Sequence, residues 1–185
     1  MKRILILASC VWLAAGPALA QYASQPATPR ERQKALMAKG RTPDAAFVIA
    51  AAQSALASAA FASMAADKAS NPDVKKFAKR IAADTTRMAE ELKPLLKIQR
   101  AQLPTAFDER NRAVHEWLAK LSGPAFDRAY ISNMSAMRAG DLMVFGRAAS
   151  RAHNADVKAW ASKNLPALEA DQQSAREIRT KIELH

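Results

Sequence analysis

An eight-residue pattern occurs twice in this chain, and it constrains the fold more than any other feature. Asn71–Ala78 reads N-P-D-V-K-K-F-A, and Asn154–Ala161, 83 residues later, reads N-A-D-V-K-A-W-A. Five of the eight positions are identical, and Phe77 is matched by a second aromatic, Trp160. The residues before each copy echo as well, Ala65, Ala66 and Ala69 against Ala148, Ala149 and Ala152. An asparagine followed by an acidic residue and an apolar periodicity is a helix start. Each copy therefore predicts a sharp turn between two helices, and the chain is expected to form two helical hairpins.

Composition agrees. Half of the 185 residues are hydrophobic, 6% are aromatic and there are only 5 glycines. Alanine is abundant, and it has the best helix propensity. The length suits one domain with a sizeable core.

The first twenty residues read as a secretory signal: Lys2 and Arg3, an apolar run Ile4–Ala15, and the small-residue site Ala18-Leu19-Ala20. The run is too short to span ~30 Å of hydrocarbon. Leu7-Ala8-Ser9-Cys10 resembles a lipoprotein box but falls too early within the apolar run. The expected location is therefore the periplasm, free or associated with the outer membrane. Cys10 is the only cysteine, so the expected mature chain has neither a disulfide nor a thiol nucleophile. Losing Lys2 and Arg3 leaves 26 basic against 17 acidic residues, a balance of +9. For an exported protein, that charge suits an anionic envelope component, a membrane surface met peripherally, or an acidic protein. Nucleic acid is not expected as a partner, since compaction of nucleic acid would require a cytoplasmic chain.

Residues 21–42 read as a tether and a short basic helix. Thr28-Pro29-Arg30-Glu31 is a capping box, Arg30, Arg32, Lys34 and Lys39 supply charge, and Gly40 is a stop. Residues 43–185 read as the helical bundle. A first helix runs from Thr42-Pro43-Asp44 to about Lys68, with an inward stripe Phe47, Ala50, Ser54, Ala57, Phe61 and Met64/Ala65. The second starts at Asn71 and buries Val74, Phe77, Ala78, Ile81, Thr85, Met88, Leu92 and Leu95. Its other face carries Lys76, Lys79, Arg80, Arg87 and Lys97, which is either a solvated surface or a docking face for an anionic partner.

Ala101–Ser122 is a connector with its own helix and a stripe Val114, Trp117/Leu118, Leu121. A connecting helix can cover roughly 24 Å at 1.5 Å per residue, enough to return the chain along most of a bundle. The pattern suits a four-helix bundle with one long crossover, the ferritin-like arrangement. The third long helix starts at Gly123-Pro124 and turns Phe126, Tyr130, Met134, Met137/Arg138, Asp141 and Phe145 inward. The fourth runs from Ala155 to about Ile182 with Val157, Trp160/Ala161, Leu165, Leu168, Asp171, Ala175 and Ile178 inward, and Pro166 is expected to kink it.

Three pieces together, Phe126-Asp127-Arg128-Ala129-Tyr130, Leu165-Pro166-Ala167-Leu168 and the N-P-D-V-K-K-F-A turn, resemble an exported bacterial ferritin-like domain family of unknown function, often labelled "predicted outer membrane protein". The resemblance covers about Asp44–Arg176. It implies a ferritin-like bundle outside the cytoplasm, with inward acidic and histidine residues that look like metal ligands. The positions corresponding to those ligands are Ala57, Thr85, Arg138 and Asp171 here, and all four depart from the family pattern.

Nothing else in the chain supplies a redox-metal site. A di-iron bundle needs Glu-x-x-His on two helices, and this chain has no such motif; His115, His153 and His185 are scattered. No cofactor is expected. Arg138 and Asp171 instead suggest an internal ion pair, joined by Asp141 or Asp84, where a metal would otherwise sit; the alternative is that Arg138 snorkels to solvent and Asp171 lies at the surface. Met64, Met88, Met134, Met137 and Met143 read as core filler, and Tyr130 as a core residue with a hydrogen-bonded hydroxyl. There is no nucleophile–base pair, paired catalytic acid or Gly-rich phosphate loop. The expected function is a non-enzymatic envelope-associated binding or structural module. The alternative is a ferritin-like metal-binding or oxidative-stress protection protein.

Overall fold

The structure is a computed structural model and describes residues 41–183. The segments expected to be a signal sequence, a tether and a short basic helix lie outside the described residues. Five helices and no strand occur among those described: α1 (Pro43–Lys68), α2 (Pro72–Ile98), α3 (Glu109–Ala119), α4 (Gly123–Arg151) and α5 (Ala155–Glu183). The architecture is all-α, and the packing of the four long helices is compatible with a four-helix bundle. α1 packs on α2, α4 on α5, α1 on α4, and α2 on α5.

The helix starts follow from local chemistry. Thr42, Asn71 and Asp108 cap α1, α2 and α3 by accepting from backbone N–H groups of the first turn, and Asn154 accepts from Val157 at the start of α5. Proline is the first helical residue of α1 and α2 and the second of α4. α2 ends in a left-handed turn at Arg100, φ 50°, with the Ala101 N–H donating to the Leu96 carbonyl. Glycine is the usual residue there. Arg100→Gly is therefore expected to raise the unfolding free energy by up to about 1 kcal/mol in urea titration, because a side chain in this conformation costs about 1–2 kcal/mol and glycine's extra unfolded-state freedom takes part of that back.

The repeat has a three-dimensional counterpart. The turn aromatic of each hairpin packs on an aromatic from the first helix of the other: Phe77 on Tyr130 with ring centroids 6.2 Å apart, and Trp160 on Phe47 at 5.9 Å. Asp44 and Asp127, also 83 residues apart, do the same with hydrogen bonds. Asp44 accepts from the backbone N–H of His153 and Asn154, at 2.7 Å for the latter. Asp127 accepts from the N–H of Ser70 and Asn71, 2.9 Å for Asn71, and from the Ser70 hydroxyl. Each hairpin thus caps the turn of its partner, and α1 and α4 run antiparallel.

The link between the hairpins travels along α1. Thr42 donates to Gln99 at one end, Gln53 donates to the Ala106 carbonyl midway, and Lys68 Nζ donates to the carbonyls of Ala119 and Leu121 at the other. α1 is also covered by both α2 and α4. Its buried positions are not one stripe: Val48, Ala51, Ala52, Ala55, Ser58 and Ala62 are buried beside Phe47, Ala57 and Phe61, whereas Ala50 and Ser54 are only half-buried.

Three other expectations change. Met143 is 64% exposed, so it is not core filler. Trp117 is 41% exposed because α3 buries mainly Asn111 and Leu118. On α5, Asn164 rather than Leu165 is fully buried.

Buried apolar side chains form two clusters. One holds Phe61, Phe77, Ile81, Phe126, Tyr130 and Met134, and the other Phe47, Leu92, Leu95, Phe145, Trp160 and Leu168. Each fully buried large apolar side chain contributes about 1.5–3 kcal/mol. A polar layer lies between them.

Candidate functional site: a buried ion-pair layer

Ser54 and Ser58 on α1, Arg138 and Asp141 on α4, and Asp171 on α5 meet midway along the helices. Arg138 and Asp141 are three residues apart, on one face of α4. Arg138 is 4% exposed and extends between two carboxylates: Nη1 donates to Asp141 Oδ2 at 2.7 Å, and Nε lies 3.3 Å from Asp171 Oδ2. The Nε contact is an ion pair without hydrogen-bond geometry. Nη2 donates to Ser58 Oγ at 3.2 Å, and Ser54 Oγ donates to Asp141 at 2.9 Å. Arg80 of α2 closes the layer from outside, Nη2 to Asp171 Oδ1 at 3.2 Å. Two guanidinium groups thus balance two carboxylates.

Burial pushes the Asp171 carboxyl above its usual range; Arg138 and Arg80 pull it down, and Asp84 adds to the rise. With a raised folded value, the stability linked to Asp171 titration is fully present below the unfolded value and lost as pH rises through the folded one. Asp84 itself pairs with Arg87, 3.7 Å apart, and does not touch Arg138. Tyr130 departs from expectation: its buried hydroxyl has no hydrogen-bond partner. Burial raises its ionisation well above the usual phenol range, Arg138 opposes the rise and Asp171 adds to it.

Ala57 and Thr85 are buried near this layer, and neither can serve as a strong ligand. Ala57 has no donor atom, and the Thr85 hydroxyl donates to the Ile81 carbonyl, 2.5 Å away. Arg138 brings a cation, and Asp171 already holds two arginines. The residues at these positions do not fit a resident metal. Among the described residues no group of three or more His, Cys, Asp or Glu side chains is placed to hold one.

The basic face of α2 divides in two. Arg80 and Arg87 turn into the seam with α5, where Arg87 Nη1 lies 3.1 Å from Glu91 and 3.3 Å from Asn164 Oδ1. Lys76, Lys79 and Lys97 are exposed and, among the described residues, meet no carboxylate. The sequence reading placed Arg80 on the exterior because its position is peripheral; only the contact with Asp171 joins it to the layer. The reciprocal caps Asp44 and Asp127 were also missed, although their spacing of 83 residues is that of the repeat.

The fold and this layer define an all-helical protein of paired hairpins whose mid-plane is closed by its own charges. A family described as "Domain of unknown function (DUF4142)" matches residues 25–178, and the chain belongs to that family. No curated protein and no solved structure matches it.

Proposed function

We propose that this is an exported, non-enzymatic bundle of ferritin-like topology that acts as a binding or structural module at the periplasmic face of the envelope. The ferritin-like reading is supported by the antiparallel packing of neighbouring long helices and by a connection that follows α1 from end to end. The observation that carries the functional reading is the Arg138 guanidinium held between Asp141 and Asp171, which occupies the middle of the bundle with a built-in cation. Binding then falls to the exterior, where Lys76, Lys79 and Lys97 are free for an anionic partner, with the basic residues Arg30, Arg32, Lys34 and Lys39 adding positive charge. The alternative, a metal or oxidative-stress role, would need donors that Ala57, Thr85 and Arg138 do not supply.

Co-sedimentation with vesicles rich in phosphatidylglycerol is the test. Binding is expected at low ionic strength and is expected to fall severalfold as salt shortens the Debye length from about 30 Å at 0.01 M to about 3 Å at 1 M. Lys76→Glu/Lys79→Glu/Lys97→Glu is expected to lose most of the binding at low salt while leaving the urea midpoint unchanged. Equal binding by the triple variant would overturn the role of this face.

A further inference from the structure

The seam between α2 and α5 carries a charge pattern that the reading above does not use. Three ion pairs cross it. Asp73 Oδ2 lies 3.4 Å from Lys181 Nζ, Arg80 Nη2 3.2 Å from Asp171 Oδ1, and Glu91 Oε1 2.9 Å from Lys163 Nζ. Along α2 the signs run minus, plus, minus; along α5, in the antiparallel direction, they run plus, minus, plus. Every pair joins the first hairpin to the second. The apolar part of the interface lacks this polarity, since the aromatic contacts and the aspartate caps are related by the repeat and look much the same from either side. Two first hairpins, or two second hairpins, could therefore satisfy much of the packing.

We infer that the α2/α5 seam is a charge-coded pairing surface whose fitting partner is the second hairpin, from the same chain or from a second copy. The code selects unlike hairpins and rejects like ones. Exposed ion pairs add little stability, but reversing their sign sets like charges face to face, which is how charged flanks specify partners in paired helices. The middle pair weighs most, because Asp171 is buried and has no route to water if Arg80 is replaced by an acid. The last pair is reinforced by the Trp160 indole N–H, which donates to Glu91 at 3.0 Å. The connector lies along α1 and does not pass between α2 and α5, so it does not obstruct a second copy's hairpin at the seam.

The test uses two full-length variants, one reversed on α2 (Asp73→Lys/Arg80→Glu/Glu91→Lys) and one reversed on α5 (Lys163→Glu/Asp171→Lys/Lys181→Glu). Each alone faces three like-charge pairs across the seam, and Asp171→Lys also sets an ammonium against Arg138, so both are expected to unfold at lower urea than the wild type. Refolded together in equal amounts, they are expected to exchange hairpins and give a dimer with one chain of each kind. Native mass spectrometry should find it at least ten times more abundant than either self-dimer. The chain carrying Asp73→Lys/Glu91→Lys/Lys163→Glu/Lys181→Glu, which keeps Asp171 between Arg80 and Arg138, is expected to return to a monomer with a urea midpoint close to wild type, whereas adding Arg80→Glu/Asp171→Lys sets a buried ammonium beside Arg138 and is expected to lower that midpoint. Should the triple variants fail to fold even as a mixture, Asp73→Lys/Glu91→Lys with Lys163→Glu/Lys181→Glu leaves Arg80 and Asp171 intact and is read the same way. No mixed dimer from either set, or single-side variants as stable as the wild type, would overturn the inference.

Discussion

Replacing Arg138 by alanine is expected to cost about 3–5 kcal/mol in unfolding free energy, read as a lower midpoint in urea at unchanged slope. The expectation follows from what remains. Asp141 and Asp171, 6% and 4% exposed, would lose the cation between them, and only Arg80 would still reach Asp171. Ser58 would lose the Nη2 donor that now meets its hydroxyl. Leaving a carboxylate buried without its partner costs several times more than the intact pair contributes, because the desolvation penalty is then uncompensated. Replacing all three ions together, as Arg138→Met/Asp141→Leu/Asp171→Leu, removes the penalty along with the pair and is expected to leave stability within about 2 kcal/mol of wild type or above it. The contrast separates the two meanings of a buried ion pair: strongly destabilising to break, yet contributing little net stability.

The same variant bears on the metal question. If Arg138 acts as the cation of the layer, alanine at this position opens a space lined by two carboxylates, and a divalent cation in excess should recover part of the lost stability through preferential binding to the folded state. Unchanged stability, with no gain in metal affinity, would mean that Arg138 does not hold the layer together.

The parts of this architecture that were legible in the sequence are those governed by local rules. The repeat marked both turns, proline after a cap marked helix starts, and the apolar spacing on α2 and α4 located residues that are buried. α1 was less legible because it is covered on more than one side. A helix so rich in alanine has little contrast between faces, and packing on both α2 and α4 buries positions such as Ala51 and Ala55 that a single-stripe reading leaves out. The polar layer was only partly legible for a related reason. Arg138, Asp141 and Asp171 fall at inward positions of their own helices, so spacing picks them out. Arg80 lies to the side of its helix and enters through the reach of its side chain, which periodicity does not record. Asp44 stands in the first turn of α1, where an acidic residue is already explained by the helix dipole, and that sufficient local explanation hides its long-range role. Asp127 lies just past the first turn of α4, and its partners at Ser70 and Asn71 are 57 and 56 residues away in the chain, beyond the reach of a local rule.

Asp127→Ala is the second large effect, about 3 kcal/mol or more. The carboxylate is 2% exposed and accepts from two backbone N–H groups and one hydroxyl in the turn between α1 and α2. A hydrogen bond to a charged group contributes about 1.5–3 kcal/mol, and donors left without a partner add their own cost. Losing an ordinary capping side chain costs about 0.5–2 kcal/mol, so a larger value would show that Asp127 also joins the hairpins. Asp44→Ala is expected to behave alike at the opposite end, with a smaller loss because its partners are two N–H groups and no hydroxyl. The two sites share no partner and lie at opposite ends of α1 and α4, so the losses in the double variant should add to within about 0.5 kcal/mol. Additive losses would mean that each end of the hairpin interface is held independently by its own aspartate. A double variant no worse than Asp127→Ala alone would instead mean that the hairpin ends separate as one unit once the first cap is gone.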